Sequence, residues 1–243
     1  MVPVPDATQP VCITPKAMAH LDGSLPATRR QFRSGGPITI VALGSSSTFG
    51  HGSTKVIYTY PSRLAVELLQ RWPKHKINVI NKGVSGEDVD EELLRLERDV
   101  FADKPQLVIW QIGTNAVMRN VDLGEFEKKV QQGITRIRAT GADLLLMDLQ
   151  FAPKVADAKE HQKMLELFDA IGKRNKIPVF HRFAIMHHWA DSMQDRYVKD
   201  MVYSDGLHMT DQSYGCIATA LADAIFYAVQ PERDDARKAV GKR

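Results

Sequence analysis

The chain has 243 residues, of which 44% are hydrophobic, 25% charged and 7% aromatic, an ordinary globular usage that excludes collagen-like, intrinsically disordered and membrane-embedded classes. This length is near the upper edge of one domain and supports a core without metal or disulfide staples. Against 29 Asp and Glu stand 32 Lys and Arg, a formal charge of +3. The basic residues are dispersed apart from Arg29-Arg30 and the stretch after Pro231, so nucleic acid is not an expected partner. No apolar run reaches the roughly eighteen residues of a spanning helix; the longest, residues 216–229, is interrupted by Thr219 and Asp223.

Residues 1–36 carry Pro3, Pro5, Pro10, Pro15 and Pro26 with little periodicity, which predicts an extended N-terminal segment packed on a domain spanning residues 37–230. A charged tail, 231–243, follows. Arg29-Arg30 resembles a twin-arginine export motif, but Ser34-Gly35-Gly36-Pro37 stands where such a signal has its apolar region. From Ile38 the pattern alternates. Short, continuously apolar runs at 38–43, 77–80, 107–112, 143–149 and 178–180 predict strands buried on both faces of a parallel sheet. Between them, helical periodicity covers about 62–72, 87–101, 123–139, 159–174 and 211–229; Val89, Leu93, Leu96 and Val100 share one face of the second, and Ile217, Leu221 and Ile225 one face of the last. Strand and helix alternate throughout, the pattern of a doubly wound, flavodoxin-like α/β three-layer sandwich with about five parallel strands.

Ligands of open α/β sheets sit beyond the carboxyl ends of the strands. The first strand ends in Gly44-Ser45-Ser46-Ser47-Thr48-Phe49-Gly50, a turn-forming composition on its own. It is not a phosphate loop: five residues separate Gly44 from Gly50 where that motif has four, and His51 replaces its lysine. Nor is it a dinucleotide fingerprint, because Lys55 occupies the place of the third glycine after Gly50-His51-Gly52. The second strand ends in Asn81-Lys82-Gly83-Val84-Ser85-Gly86 and the third in Gln111-Ile112-Gly113-Thr114-Asn115. Near the C-terminus comes Ser204-Asp205-Gly206-Leu207-His208. Acyl transfer by a nucleophile needs a hydroxyl, a base, a carboxylate that orients the base and donors for an oxyanion, and these segments contain all four kinds of group.

In order and wording, the four segments resemble the blocks of the SGNH/GDSL hydrolase family, and the resemblance extends over about residues 38–227. It implies an α/β esterase with Ser46 as nucleophile, His208 as base and Asp205 as its orienter. It also implies an oxyanion hole formed by the Ser46 N–H, the Gly86 N–H and the Asn115 side-chain amide, with Gly83 as the fallback for Gly86. Ser45 departs from the family pattern, standing where an Asp is usual, which alters how the turn is hydrogen-bonded but leaves the nucleophile in place. The implied reaction uses no cofactor and no metal.

The expected substrate is a small-molecule or carbohydrate ester. Low aromatic content and the lack of a long apolar lid favour short acyl groups, sugar O-acetyl esters among them, over bulky lipids. The alternatives are a thioesterase or lysophospholipase of the same family, and a glycan-binding or acyl-transferring domain that does not hydrolyse. Tyr58, Tyr60 and Met118 are residues that could shape the pocket. His51 is read as an exposed loop residue, and His187-His188 as a surface or half-buried pair, since helical neighbours diverge too far to share a metal.

Cys12 and Cys216, 204 positions apart, complete the reading. They are either two unrelated thiols or a bridge that ties the N-terminal segment to the domain. A bridge implies an oxidising compartment, hence a periplasmic or secreted protein whose signal has been removed; otherwise the protein is cytoplasmic. The sequence leaves the oligomeric state open.

Overall fold

The computed structural model describes residues 12–230, so the predicted tail at 231–243 lies outside the described residues. Five parallel strands form one sheet in the order β2-β1-β3-β4-β5. They are β1 (Ile38–Gly44), β2 (Ile77–Gly83), β3 (Leu107–Gln111), β4 (Asp143–Met147) and β5 (Val179–Phe180). Every residue of β3 and β4 is buried, and β1 is buried except at Thr39, as expected where helices cover both faces. The helices Pro26–Ser34, Tyr60–Arg71 and Asp211–Val229 pack together over one face. On the other lie Val89–Leu94, Leu123–Ala139 and His161–Asn175. The result is the predicted doubly wound α/β three-layer sandwich.

The strand order places the functional end of the sheet. In the order 2-1-3-4-5 the chain reverses its direction of travel between β1 and β3, and the crevice at that reversal is where such sheets bind ligands. Register sharpens this placement: Gly44, the last residue of β1, pairs with Gly83 of β2 on one side and with Gln111 of β3 on the other. The first three sequence blocks therefore leave the sheet at one level.

Two predicted elements are corrected. The N-terminal segment is not extended to residue 36, because Pro26–Ser34 is a helix. Pro26 stands in its first turn, where its missing N–H costs nothing. Leu25 supplies no side-chain cap; instead the Asp143 carboxylate accepts the N–H groups of Ala27 (3.1 Å) and Thr28 (2.8 Å) and the Thr28 hydroxyl (2.8 Å). Leu21 and Leu25 are buried in the same core as the strands. The single helix expected over 87–101 is divided. Asp88 and Glu91 form a capping box, so the helix starts at Val89, and at Arg95 (φ −108°, ψ 6°) it gives way to a separate turn of helix at Leu96–Asp99.

Cys12 and Cys216 are bridged, with Cα atoms 5.7 Å apart. The bridge fixes residue 12 to the second turn of the helix Asp211–Val229. Among the described residues no helix is long and apolar enough to cross a membrane.

Candidate active site

Directly after β1, Ser46 opens a one-turn helix, Ser46–Phe49. Its backbone N–H is one of the first-turn donors that a helix leaves without an internal acceptor. The turn can approach β2 because residue 83 is glycine: a Cβ there would stand 2.0 Å from the Phe49 nitrogen and 2.5 Å from the Thr48 carbonyl carbon. Gly83 therefore has a packing role beneath the Ser46 helix.

The buried Gln111, at the end of β3, holds the turn from below. Its side-chain oxygen accepts the Ser45 N–H (3.2 Å) and the Thr48 hydroxyl (3.0 Å), and the Ser45 hydroxyl lies within 3.4 Å. Small, neutral Ser45 thus shares one amide with the backbone of its own turn. Tyr60 is fully buried, with its hydroxyl 3.1 Å from that of Thr48, and burial pushes its pKa up to about 12. It supports the turn rather than lining a pocket. Tyr58 is half-buried beneath the Arg63 guanidinium, and Met118 is partly exposed.

The structure brings together the three residues named from the first and last blocks. His208 Nε2 lies 2.8 Å from Ser46 Oγ, and His208 Nδ1 lies 2.6 Å from Asp205 Oδ2. The other Asp205 oxygen accepts the backbone N–H groups of Leu207 and His208, both at 2.9 Å. The Asp-x-x-His spacing is therefore a loop folded around its own carboxylate. Burial works to raise the Asp205 carboxyl, but the His208 N–H, the His208 ring and the Leu207 N–H outweigh it and hold the pKa down to about 2. Burial lowers the His208 pKa below its usual 6.5, only partly offset by the Asp205 carboxylate. A neutral imidazole between a hydroxyl and a carboxylate can accept the hydroxyl proton.

The second and third blocks meet beside this group. Gly86 is exposed in the loop after β2, at φ +85°, where a side chain would be strained. Its carbonyl accepts from Arg119 Nη2 at 2.6 Å, and the carbonyl of the next residue, Glu87, accepts from Asn115 Nδ2 at 2.6 Å. The Gly86 loop is thereby clamped to the helix Thr114–Met118. An amide NH2 has two hydrogens, so one Asn115 donor stays available beyond the clamp.

Behind the site lies a buried polar hub that sequence reasoning missed. Gln150 Oε1 accepts from Thr114 Oγ1 (2.9 Å), Arg182 Nη2 (2.9 Å) and Ser47 Oγ (3.4 Å), while Gln150 Nε2 donates to the Leu207 carbonyl at 3.3 Å. One glutamine thus links the first, third and fourth blocks. The Arg182 side chain is fully buried, and desolvation lowers its pKa to about 10 against the opposing pull of Asp148. The signal available in the sequence was a polar residue placed at, or just beyond, the carboxyl end of an apolar run, as with Gln111 and Gln150.

His51 also stands at the site. It is exposed, as expected of a loop residue, yet its ring centroid is 4.2 Å from that of His208 and its Nε2 is 3.7 Å from Asp205 Oδ2. His187 and His188 form a partly exposed pair on the helix Arg182–Met193, and among the described residues they belong to no group of three potential metal ligands. Exposed apolar side chains, Phe49, Val84, Met118 and Tyr203, stand on the segments that carry Ser46, Gly86, Asn115 and His208.

Residues 11–231 match the model of a family described as non-GDSL lipase-like. An acetylxylan esterase of Geobacillus stearothermophilus is 32% identical over 143 residues, covering 56% of this chain and 65% of that protein. Thioesterase 1/protease 1/lysophospholipase L1 of Escherichia coli K12 is 22% identical over 192 residues, 79% of this chain and 85% of the relative. Among solved structures, a two-domain esterase active on acetylated mannans superposes with a TM-score of 0.73 at 17% identity, over 90% of this chain and 57% of that one. The chain thus spans a little under two thirds of the acetylxylan esterase and somewhat over half of the two-domain enzyme.

Proposed function

The chain belongs to the non-GDSL lipase-like family, within the SGNH/GDSL hydrolases, and from this premise we propose that it is a carboxylic ester hydrolase for short acyl esters, with O-acetyl groups on carbohydrates as the favoured class. The observation that carries the reading is the unbroken chain of hydrogen bonds from Ser46 through His208 to Asp205. In this reading His208 takes the Ser46 proton as the Ser46 oxygen attacks the ester carbonyl. Asp205 fixes the imidazole tautomer and stabilises the imidazolium that forms. The oxyanion is met by the N–H groups of Ser46 and Gly86 and by the Asn115 donor left free of Glu87. His208 then protonates the leaving alcohol, and water attacks the acyl-enzyme by the reverse route, releasing a carboxylic acid and free serine.

The substrate class rests on the acetylxylan esterase relative and on the rim of single apolar side chains, which offers contacts for a sugar face or a small acyl group. The E. coli relative, which aligns with more of the chain, supports the second reading, a thioesterase or lysophospholipase. The Cys12–Cys216 bridge supports a periplasmic or secreted location.

Turnover of p-nitrophenyl esters of increasing chain length, together with acetate release from acetylated xylo-oligosaccharides, tests the proposal. Preference for acetyl, with release from the sugar, is the expected result; preference for long acyl chains or thioesters favours the second reading. A chain that neither turns over any ester nor takes up a serine-directed phosphonate at Ser46 is not a hydrolase of this kind.

A further inference from the structure

His51, which the reaction proposed above leaves without a task, faces the same carboxylate as His208. Ligand atoms of His51, Asp205 and His208 all lie within 4.8 Å of one another, and this is the group of potential metal ligands found among the described residues. We propose that these three side chains form an inhibitory site for a zinc-class divalent ion, which switches the hydrolase off by taking its base and carboxylate as ligands. The inhibitory effect rests on the hydrolase reading; the binding site does not.

The donor set suits this ion. Two imidazoles and one carboxylate are typical zinc ligands, bound at roughly 2.0 to 2.2 Å, which in a tetrahedral site sets neighbouring donor atoms about 3.3 Å apart. Asp205 Oδ2 is 3.7 Å from His51 Nε2 and 2.6 Å from His208 Nδ1. These two separations bracket the required value, and the separation of the two histidine ligand atoms is at most 4.8 Å, so seating the ion asks for small side-chain shifts. The side chains of His51 and Asp205 are 48% and 30% exposed, which leaves an entry path and room for a water as fourth ligand. Magnesium and calcium, which require six or more oxygen ligands, are excluded by the same donor set. An ion held here replaces the His208–Asp205 hydrogen bond and occupies His208 Nδ1, so the neutral ring carries its proton on Nε2, the nitrogen that faces Ser46. The imidazole is then no longer held in the tautomer that accepts the Ser46 proton.

The substitution His51→Phe keeps a ring against His208 and Tyr203 but removes the ligand nitrogen. Calorimetry with zinc, run beside ester turnover, is the test. The expected result is one zinc bound per wild-type chain at micromolar concentration, loss of turnover over the same range, recovery with EDTA and no response to magnesium. In His51→Phe, zinc binding, and inhibition scaled to the variant's own metal-free turnover, should each weaken at least about tenfold, as for other losses around a metal site. Wild-type chain that binds no zinc, or a His51→Phe chain that binds and is inhibited like wild type, overturns the site. Zinc bound through His51 in a chain without ester turnover supports the site and counts against the hydrolase reading alone.

Discussion

The imidazole of His208 reaches to within 2.8 Å of the Ser46 hydroxyl across 162 positions of sequence. The two flanking serines make different contacts: Ser45 Oγ lies on Gln111, and Ser47 Oγ on Gln150. Ser46→Ala should therefore abolish the burst of p-nitrophenol and lower kcat by roughly 10⁵ to 10⁶, the loss seen when a nucleophile that works as part of a unit is removed. Ser45→Ala and Ser47→Ala should remain active. A dead Ser45→Ala beside an active Ser46→Ala would shift the assignment of the nucleophile by one residue.

Asn115 is asked to do two things with one amide, and the two can be separated. Asn115→Ala should reduce kcat by about 10² to 10³, the usual loss for one oxyanion donor, with a smaller change in KM. It also releases the Glu87 carbonyl, so its melting temperature should be measured alongside. A lower melting point with kcat intact would reduce Asn115 to a clamp on the Gly86 loop.

The pH dependence follows from His208. Burial lowers its pKa below 6.5, and a base works only when deprotonated, so activity should rise with pH along a limb centred below 6.5. Asp205→Asn removes the carboxylate that opposes this lowering. The limb should then move to still lower pH, while kcat drops by up to about 10⁴ because the imidazole loses its orienting partner. Profiles of kcat/KM for the two proteins check both effects. A limb that moves upward in Asp205→Asn would contradict the placement of the carboxylate.

The sequence was most legible where a segment carries its own instructions. The helices Leu123–Ala139 and Asp211–Val229 keep their predicted bounds because an apolar face coincides with a local cap: the Asp122 side chain accepts the Glu125 N–H, and that of Thr210 the Ser213 N–H. Pro26–Ser34 was not legible, since its cap is Asp143, 116 positions away. The helix Arg182–Met193 was also missed; it begins with a charged side chain that is completely buried, where apolar periodicity expects a core residue or a surface one. At the site, the four blocks could be read because each follows a strand end or forms a short loop. Gln111 and Gln150 were silent because a polar residue after an apolar run looks ordinary until its partners arrive from other strands.

The bridge between Cys12 and Cys216 closes a loop of 204 positions. Loop-entropy models give such a closure about 5 kcal/mol, an upper figure because residual structure in the unfolded chain reduces it. Cys12→Ser should lower the melting temperature by several degrees with kcat nearly unchanged, since Ser46 and His208 are held by other contacts. A non-reduced peptide map of protein expressed under oxidising conditions should recover the two cysteines in one linked pair. Two free thiols there would remove both the bridge and the argument for an exported protein.

Glu92 offers a test of the fold that is independent of the reaction. Its side chain is fully buried, one oxygen accepts the Trp110 indole N–H at 2.6 Å, and the other has no hydrogen-bond partner. Desolvation raises its pKa well above the usual 4.5, against the smaller opposing effects of Trp110 and Arg95. The folded chain therefore holds this proton to higher pH than the unfolded chain does. Above about pH 4.5 unfolding releases the proton, and stability declines with rising pH until the folded carboxyl itself ionises. Glu92→Gln keeps an acceptor for Trp110 but cannot ionise. Its melting temperature should match wild type near pH 4 and exceed it increasingly towards pH 8, read from thermal unfolding across that range. A constant offset at all pH values would show that Glu92 does not titrate with folding, its carboxyl group having the same pKa in the folded and unfolded chain.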